Sequence, residues 1–181
     1  MLHKCVFMLS LGLFLGAALL GGCRSQTPAP AEATARLPEG LFLPAAPEGA
    51  LGVRDAKAQA AVGKDVVIRG RVGGRREPFT RSSAVFLLAD RALPVCGEVN
   101  PNDGCKTPWD YCCEPADVIA ANTATIQVVG ADSRPLAISV RGVHDLEPMA
   151  EVVVVGKVAQ RSDDGVLVVN ATGLYVRKAG S

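Results

Sequence analysis

Beyond residue 63, hydrophobic and polar residues alternate with the period of two that is typical of β-strands. The segment 65–72 shows this clearly, because Val66, Ile68 and Val72 share one face and arginines occupy the other. A strand of this kind buries one face against a core and exposes the other face to water.

Further segments have the composition of strands, with β-branched residues bounded by turn residues. They are 84–89, 124–129, 136–140, 151–159 and 166–176, of which 136–140 either continues the strand before it or stands alone. Ser162, Asp163, Asp164 and Gly165 separate the last two segments and predict a hairpin. Residues 170–173 interrupt the alternation of the final strand, and the glycine at this break predicts a β-bulge that helps the sheet to curve.

A short helix or turn is predicted before the strands. Residues 51–62 are rich in Ala, Lys and Gln, and Gly63 follows where a helix would end.

Two segments carry a resemblance to a known fold: residues 63–72 read GKDVVIRGRV and residues 152–158 read VVVVGKV. Five or six short strands that include them resemble the OB-fold in its small bacterial exported versions. The resemblance covers residues 51–178 and implies an all-β, OB-fold-like barrel of five to six strands, with a short N-terminal helix. The cysteine-rich insertion at 91–122 departs from the compact pattern, and a β-sandwich or another small barrel would alternate similarly.

Composition narrows the choice of partners. The chain has 181 residues, which suits one domain, and is 49% hydrophobic with 4% aromatic residues and a net charge of +1. Lys4 is the only Lys, Arg, Asp or Glu among residues 1–22, so the rest of the chain carries equal numbers of basic and acidic residues. Binding to nucleic acid depends largely on a surplus of basic residues, so a nucleic-acid partner is disfavoured.

The amino terminus predicts export. His3 and Lys4 precede an apolar run over residues 5–20, which is shorter than the ~20 residues of a membrane-spanning helix. The run ends in Leu20, Gly21, Gly22 and Cys23, which resembles the lipobox of bacterial lipoproteins.

That resemblance implies that residues 1–22 are a signal peptide and that Cys23 carries the lipid, palmitate included, which anchors the protein to a membrane. The protein would then face the periplasm or the cell surface. Arg24 rather than Asp follows the cysteine, which implies the outer membrane in a Gram-negative cell. Residues 23–50 are rich in Pro and Ala, which predicts an extended tether.

Four of the six cysteines fall in the insertion: Cys96, Cys105, Cys112 and Cys113. The preferred interpretation is two disulfides in an oxidising compartment, with Cys112 and Cys113 paired separately to Cys96 and Cys105 in either order. A metal held by the four thiolates is an alternative, as zinc, copper or an iron–sulfur cluster. A thiol redox role is a third, although Cys-x-x-Cys spacing is absent from the insertion.

Several polar and aromatic side chains are candidates for a ligand face. Arg69, Arg71, Arg75 and Arg76 gather around the first barrel strand and its turn, and Trp109 and Tyr111 lie in the cysteine-rich loop. Converging arginines would suit an anionic partner, and an aromatic pair can stack on a flat ligand. The alternatives are a solvated arginine face and an aromatic pair that packs inside its own loop.

No catalytic pattern is found in the sequence, which predicts that the protein is not an enzyme. His144 beside Asp145 has no nominated nucleophile, and no phosphate-binding glycine loop or Gly-x-Ser-x-Gly elbow is present. The leading hypothesis is a membrane-anchored, non-enzymatic binding or structural module of the cell envelope, without a cofactor, whose partner is an envelope protein or a polysaccharide. A metal-binding or thiol-redox protein is the first alternative, and OB-fold binding of nucleic acid or oligosaccharide is the second.

Overall fold

A computed structural model of the chain describes residues 36–98, 100, 102 and 104–177. The predicted signal peptide, Cys23 and the first part of the predicted tether lie outside the described residues. None of the helices in the described part has the length and apolar character needed to cross a membrane.

The described residues form six strands, two short α-helices and two 3₁₀ turns. In chain order these are β1 (Leu51–Gly52), α1 (Val53–Gln59), β2 (Asp65–Val72), β3 (Val85–Ala89), a 3₁₀ turn (Pro108–Asp110), α2 (Ala116–Ala121), β4 (Thr123–Gln127), a second 3₁₀ turn (Val143–Asp145), β5 (Glu151–Arg161) and β6 (Leu167–Val176).

The sheet closes into a five-stranded barrel with one extra strand. The strand order is β1-β2-β3-β4-β6-β5, and β5 also pairs with β2 to complete the ring. Pairing is parallel between β4 and β6, where Ile126 faces Val169, and antiparallel between the other barrel neighbours. The predicted all-β barrel with a short N-terminal helix is therefore confirmed, and its closed form is consistent with an OB-like architecture.

The extra strand outside the five-stranded barrel is β1, which pairs in parallel with β2. The segment 136–140 forms no strand, and only Val129 and Pro135 make an isolated bridge beside it. Proline has no N–H to donate to a ladder. Leu136 N still donates to the Val128 carbonyl and the Leu136 carbonyl accepts from Ala84 N, but no strand continues through residues 137–140. The insertion also contains α2, which the sequence analysis did not predict.

The barrel core is built from the inward-facing positions of the alternating strands. Ile68, Phe86, Ile126 and Val154 are fully buried, one from each of four strands. Between β5 and β6 the register shifts, because Val155 pairs with Gly173 and Gly156 pairs with Ala171. This confirms the bulge predicted at the break in the last strand.

The segment 41–43 packs on the barrel. Leu41 is buried in the core, its carbonyl accepts a hydrogen bond from Leu174, and Leu43 N donates to the Leu174 carbonyl. The segment 41–43, which precedes β1, is therefore held on β6 by backbone hydrogen bonds and on the core by the Leu41 side chain.

Ile126→Ala tests how far the barrel depends on a core side chain of β4. Because Ile126 is fully buried, removal of its side chain should lower the free energy of unfolding by about 2–5 kcal/mol, measured by urea denaturation. Val62→Ala is the control, since Val62 is 62% exposed and its truncation should change stability by less than about 0.5 kcal/mol. Equal stabilities of the two variants would contradict this account of the core.

Candidate functional site

The cysteine-rich loop leaves the barrel after β3 and returns at β4, and its two ends are joined at the base. Asp90 N donates a hydrogen bond to the Asn122 carbonyl at 2.8 Å. The Asp90 carboxylate is buried and accepts hydrogen bonds from Arg54 N at 2.9 Å and Ala92 N at 2.8 Å. The loop therefore starts from a fixed point beside the first turn of α1.

A small hydrophobic cluster supports the loop from inside. It consists of Ala89, Leu93, Val95 and Tyr111, with partly buried residues of α2 and Met149 packed against it. Tyr111 is fully buried and has a left-handed backbone, with φ of 56°. Burial raises the pKa of Tyr111, and the neighbouring Arg71 guanidinium opposes that rise.

The burial of Tyr111 corrects its assignment to a ligand face. A ring without exposed surface cannot stack on a ligand from solvent, and it serves instead as the largest side chain of the loop's own core. Trp109 is half-buried, and its indole N–H donates to the Arg76 carbonyl at 3.1 Å. The two aromatic side chains therefore do not form one stacking surface.

The turn after β2 holds the 3₁₀ turn of the loop against the barrel. Gly74 N donates to the Trp109 carbonyl at 2.8 Å. A Cβ on Gly73 would lie 2.6 Å from that carbonyl oxygen and 3.1 Å from the Tyr111 ring. Only glycine permits this close approach.

Four potential metal ligands converge where this turn meets the rest of the loop. They are the sulfur atoms of Cys96, Cys105 and Cys112 and a carboxylate oxygen of Asp110, which all lie within 4.8 Å of one another. Cys96 Sγ is 3.8 Å from Cys112 Sγ and 4.0 Å from Asp110 Oδ1. The four donors come from three separate parts of the loop, at residue 96, at residue 105 and at residues 110–112. The cluster therefore exists only when the loop is folded.

The cysteine geometry does not show the predicted disulfides. A disulfide bond holds its sulfur atoms about 2.05 Å apart, and no pair of described cysteines is at that bonding distance. Cys113 is exposed and lies outside the four-ligand cluster. The structure thus groups three of the four predicted cysteines and adds Asp110, which the sequence analysis had not selected as a ligand.

Asp110 is oriented by its own local hydrogen bonds. Thr107 Oγ1 donates to Oδ2 at 2.8 Å, and Cys112 N donates to Oδ1 at 3.0 Å. Burial alone would raise the pKa of Asp110, but these bonds, with a contact from the Cys112 side chain and the charge of Arg76, together lower the pKa. The carboxylate is held charged and in place.

Without a bound cation, the negative charge of Asp110 disfavours ionisation of the neighbouring cysteine thiols to thiolates. Contacts with Asp110 and Cys96 raise the pKa of Cys112 well above its usual range. Thiols next to a carboxylate keep their protons because like charges repel, and a bound divalent cation reverses that balance.

The predicted arginines separate into two groups. Arg75 and Arg76 are exposed on the turn after β2, beside Trp109. Arg69 and Arg71 lie on the outward face of β2, where they line a cleft together with Arg54 and Arg91. No single surface unites the six ligand-face residues.

The sequence contains one weak signal for Asp110 as a metal ligand, which is its spacing from Cys112. Asp110 precedes Cys112 by two residues in the run TPWDYCC, and a turn brings such residues together. That signal is weak, because the convergence with Cys96 and Cys105 depends on how the loop folds.

Comparison with protein-family models, with curated proteins and with solved structures finds no match to this chain.

Gly73→Ala tests the contact between barrel and loop. The added methyl group meets the Trp109 carbonyl, so the loop has to move away, at a cost of about 1–3 kcal/mol in unfolding free energy. Because Trp109 is the single tryptophan, its fluorescence emission should shift to longer wavelength. Gly130→Ala is the control, because a Cβ at Gly130 would meet the side chains of Asp132 and Leu136 after β4 and not the cysteine-rich loop. The emission of this variant should match the wild type. Unchanged emission in Gly73→Ala would contradict the close contact.

Proposed function

We propose that this chain is a membrane-anchored lipoprotein of the cell envelope whose non-enzymatic barrel domain binds one thiophilic divalent metal ion, zinc, in its cysteine-rich loop. The ligands are Cys96, Cys105, Asp110 and Cys112. The observation that carries the metal site is the convergence of these four donor atoms within 4.8 Å of one another.

The sulfur separation supports tetrahedral coordination. A Zn–S bond is about 2.3 Å long, so two thiolates at a tetrahedral zinc are about 3.8 Å apart. Cys96 Sγ and Cys112 Sγ are 3.8 Å apart. A thiolate sulfur and a carboxylate oxygen on one tetrahedral zinc are about 3.5 Å apart, and Cys96 Sγ lies 4.0 Å from Asp110 Oδ1.

The donor types favour zinc over the hard cations. Three thiolates and one carboxylate are ligands that zinc accepts, whereas Ca²⁺ and Mg²⁺ prefer a shell made of oxygen atoms. Four protein ligands also complete the usual coordination of zinc, which is typical of structural sites and leaves no position for a reacting water. This supports a structural role and agrees with a module that is not an enzyme.

Zinc bound there would join parts of the loop that are distant in sequence. Cys96 and Cys112 are 16 residues apart, and Asp110 and Cys112 flank the buried Tyr111. A metal that connects them would hold the loop closed on its small core, because binding energy at such a site is folding energy.

A disulfide between Cys96 and Cys112 is the second candidate, favoured by the same short sulfur separation. Its formation removes two electrons and two protons from the thiols and therefore needs an oxidant, which exported compartments supply. The two candidates exclude each other at these residues, since a ligand thiolate cannot also be bridged.

The metal proposal predicts one equivalent of zinc per chain. Purified protein titrated with Zn²⁺ should bind a single ion, and Co²⁺ should give thiolate-to-cobalt charge-transfer absorption. Cys96→Ser, Cys112→Ser and Asp110→Asn should each weaken binding by more than about 100-fold, since removal of even an outer-shell partner costs 10–100-fold.

Cys113→Ser is the matched control, because Cys113 is adjacent in sequence but outside the four-ligand cluster. It should retain the wild-type stoichiometry and affinity. A native protein that holds no metal and is lighter by two hydrogens than its reduced form would favour the disulfide instead. Metal binding that survives the loss of Cys96 and Cys112 together would contradict the assigned ligands.

The lipid anchor is tested at Cys23. Cells grown with labelled palmitate should incorporate label into the wild-type chain, and Cys23→Ser should abolish incorporation because serine cannot form the thioether. Cys5→Ser should leave labelling unchanged, since residue 5 lies in the segment that is removed. Recovery of the wild-type chain from the cytosol at full length and without lipid would contradict the proposed export.

A further inference from the structure

A second candidate site lies on the outward face of the barrel, separate from the cysteine cluster. It is a cleft of about 750 Å³ lined by Arg54, Arg69, Arg71 and Arg91, with Asp55 and Asp90 among the other lining residues. No lysine is present in its lining.

The fold explains why these arginines meet. Alternation along β2 buries Ile68 and Val72 and turns Arg69 and Arg71 outward. The parallel pairing of β1 with β2 places Gly52 beside Arg69, so α1 begins there and brings Arg54 to the cleft. Arg91 arrives from the end of β3, which pairs with β2 at Arg71 and Ala89.

Ion pairs between described residues engage only two of the four arginines of the cleft. Arg91 pairs with Glu151 at 3.2 Å and Arg71 lies 3.8 Å from Glu98. Arg54 and Arg69 form no ion pair with the described residues, although both are exposed. These two guanidinium groups are therefore available to an anion.

The two acidic residues of the cleft, Asp55 and Asp90, form no ion pair with Arg54 or Arg69. The Asp90 carboxylate is buried and is bound by the backbone N–H groups of Arg54 and Ala92. Asp55 is exposed and makes no ion pair within the described part of the chain. Arg71 Nη1 is buried without a hydrogen-bond partner among the described residues and lies 3.8 Å from Glu98 Oε1.

Guanidinium groups suit an oxyanion with several acceptor oxygens, because their planar N–H donors bind phosphate or carboxylate in pairs. A phosphomonoester carries a charge of about −1.5 to −2 at neutral pH and three acceptor oxygens, so it can engage Arg54 and Arg69 together. A carboxylate offers one charge and two oxygens, which matches this pair less well.

The space extends beyond a single phosphate group. A second cleft of about 220 Å³ shares Arg69 and Arg91 with the first and continues to Tyr175 and Arg177. In the sheet, Val153 pairs with both Arg69 and Tyr175, so one apolar side chain forms the floor between these two residues. Glu151 and Arg177, which pair with each other, also line the second cleft. An organic group attached to the phosphate can lie on this floor.

We propose that the arginine cleft binds a phosphomonoester, with the phosphate between Arg54 and Arg69 and its organic body directed along β5 toward Tyr175. The same chemistry is present in a soluble phosphate ester and in the headgroup of an anionic lipid. The site shares no residue with the proposed metal ligands.

Calorimetric titration of the full-length chain with glycerol 3-phosphate tests the soluble form of the ligand, and flotation with phosphatidic acid vesicles tests the lipid form. We expect saturable binding of at least one of them, weakened by at least about tenfold in the double variant Arg54→Gln, Arg69→Gln. Arg69→Lys keeps the charge but loses the planar fork, so it should give an intermediate loss.

The double variant Arg81→Gln, Arg134→Gln removes the same charge from exposed positions outside the cleft and should bind like the wild type. Binding of glycerol 3-phosphate identifies a soluble ester as sufficient; binding of vesicles alone, lost in the cleft variant, identifies the lipid headgroup.

Three outcomes would overturn the proposal. They are the absence of saturable binding in both arms, equal weakening by the control pair, and inorganic phosphate or sulfate binding as tightly as glycerol 3-phosphate. Thermal unfolding of every variant, expected to match the wild type, shows that a lost signal reports the cleft rather than the fold. Zinc stoichiometry measured on the same samples separates failure of this proposal from failure of the metal site.

Discussion

Closure of the sheet is the constraint on which the rest of this structure depends. β2 pairs with both β3 and β5, and β4 pairs in parallel with β6, so that each barrel strand has a partner on both sides. A closed barrel removes the free edges that an open sheet would expose. The bulge between β5 and β6 adds the local bend that closure needs, with Gly156 where a side chain would meet the Asn170 backbone.

Closure also fixes where the cysteine-rich loop begins and ends. β3 and β4 pair from Val85 and Gln127 to Ala89 and Thr123, and the two ends of the loop leave the barrel side by side. Because the sheet already holds the two ends together, it offsets part of the conformational entropy lost when a long loop is closed. The buried Tyr111 and the glycine contact at Gly73 then determine how the loop folds back, and this brings a carboxylate and three thiols together.

The two proposed sites lie on either side of one structural junction. Arg71, from the outward face of β2, borders the cleft and lies beside Tyr111 and Glu98 of the loop. Cys96 and Cys112 are close neighbours of those loop residues in sequence. In the proposed zinc form, the ion that holds the loop closed also keeps Tyr111 and Glu98 against Arg71.

The barrel strands, the last hairpin, its bulge and the short helix could be predicted from local patterns, because alternation and turn chemistry act over neighbouring residues. The proposed export signal and the proposed lipidation of Cys23 likewise rest on sequence alone. Only the folded chain shows that β1 is the extra strand and that Tyr111 is buried. It also shows that Arg69 and Arg71 face a different surface from Arg75 and Arg76. It also selected Asp110 as the fourth donor. These outcomes depend on contacts between segments far apart in the chain, which no local pattern encodes.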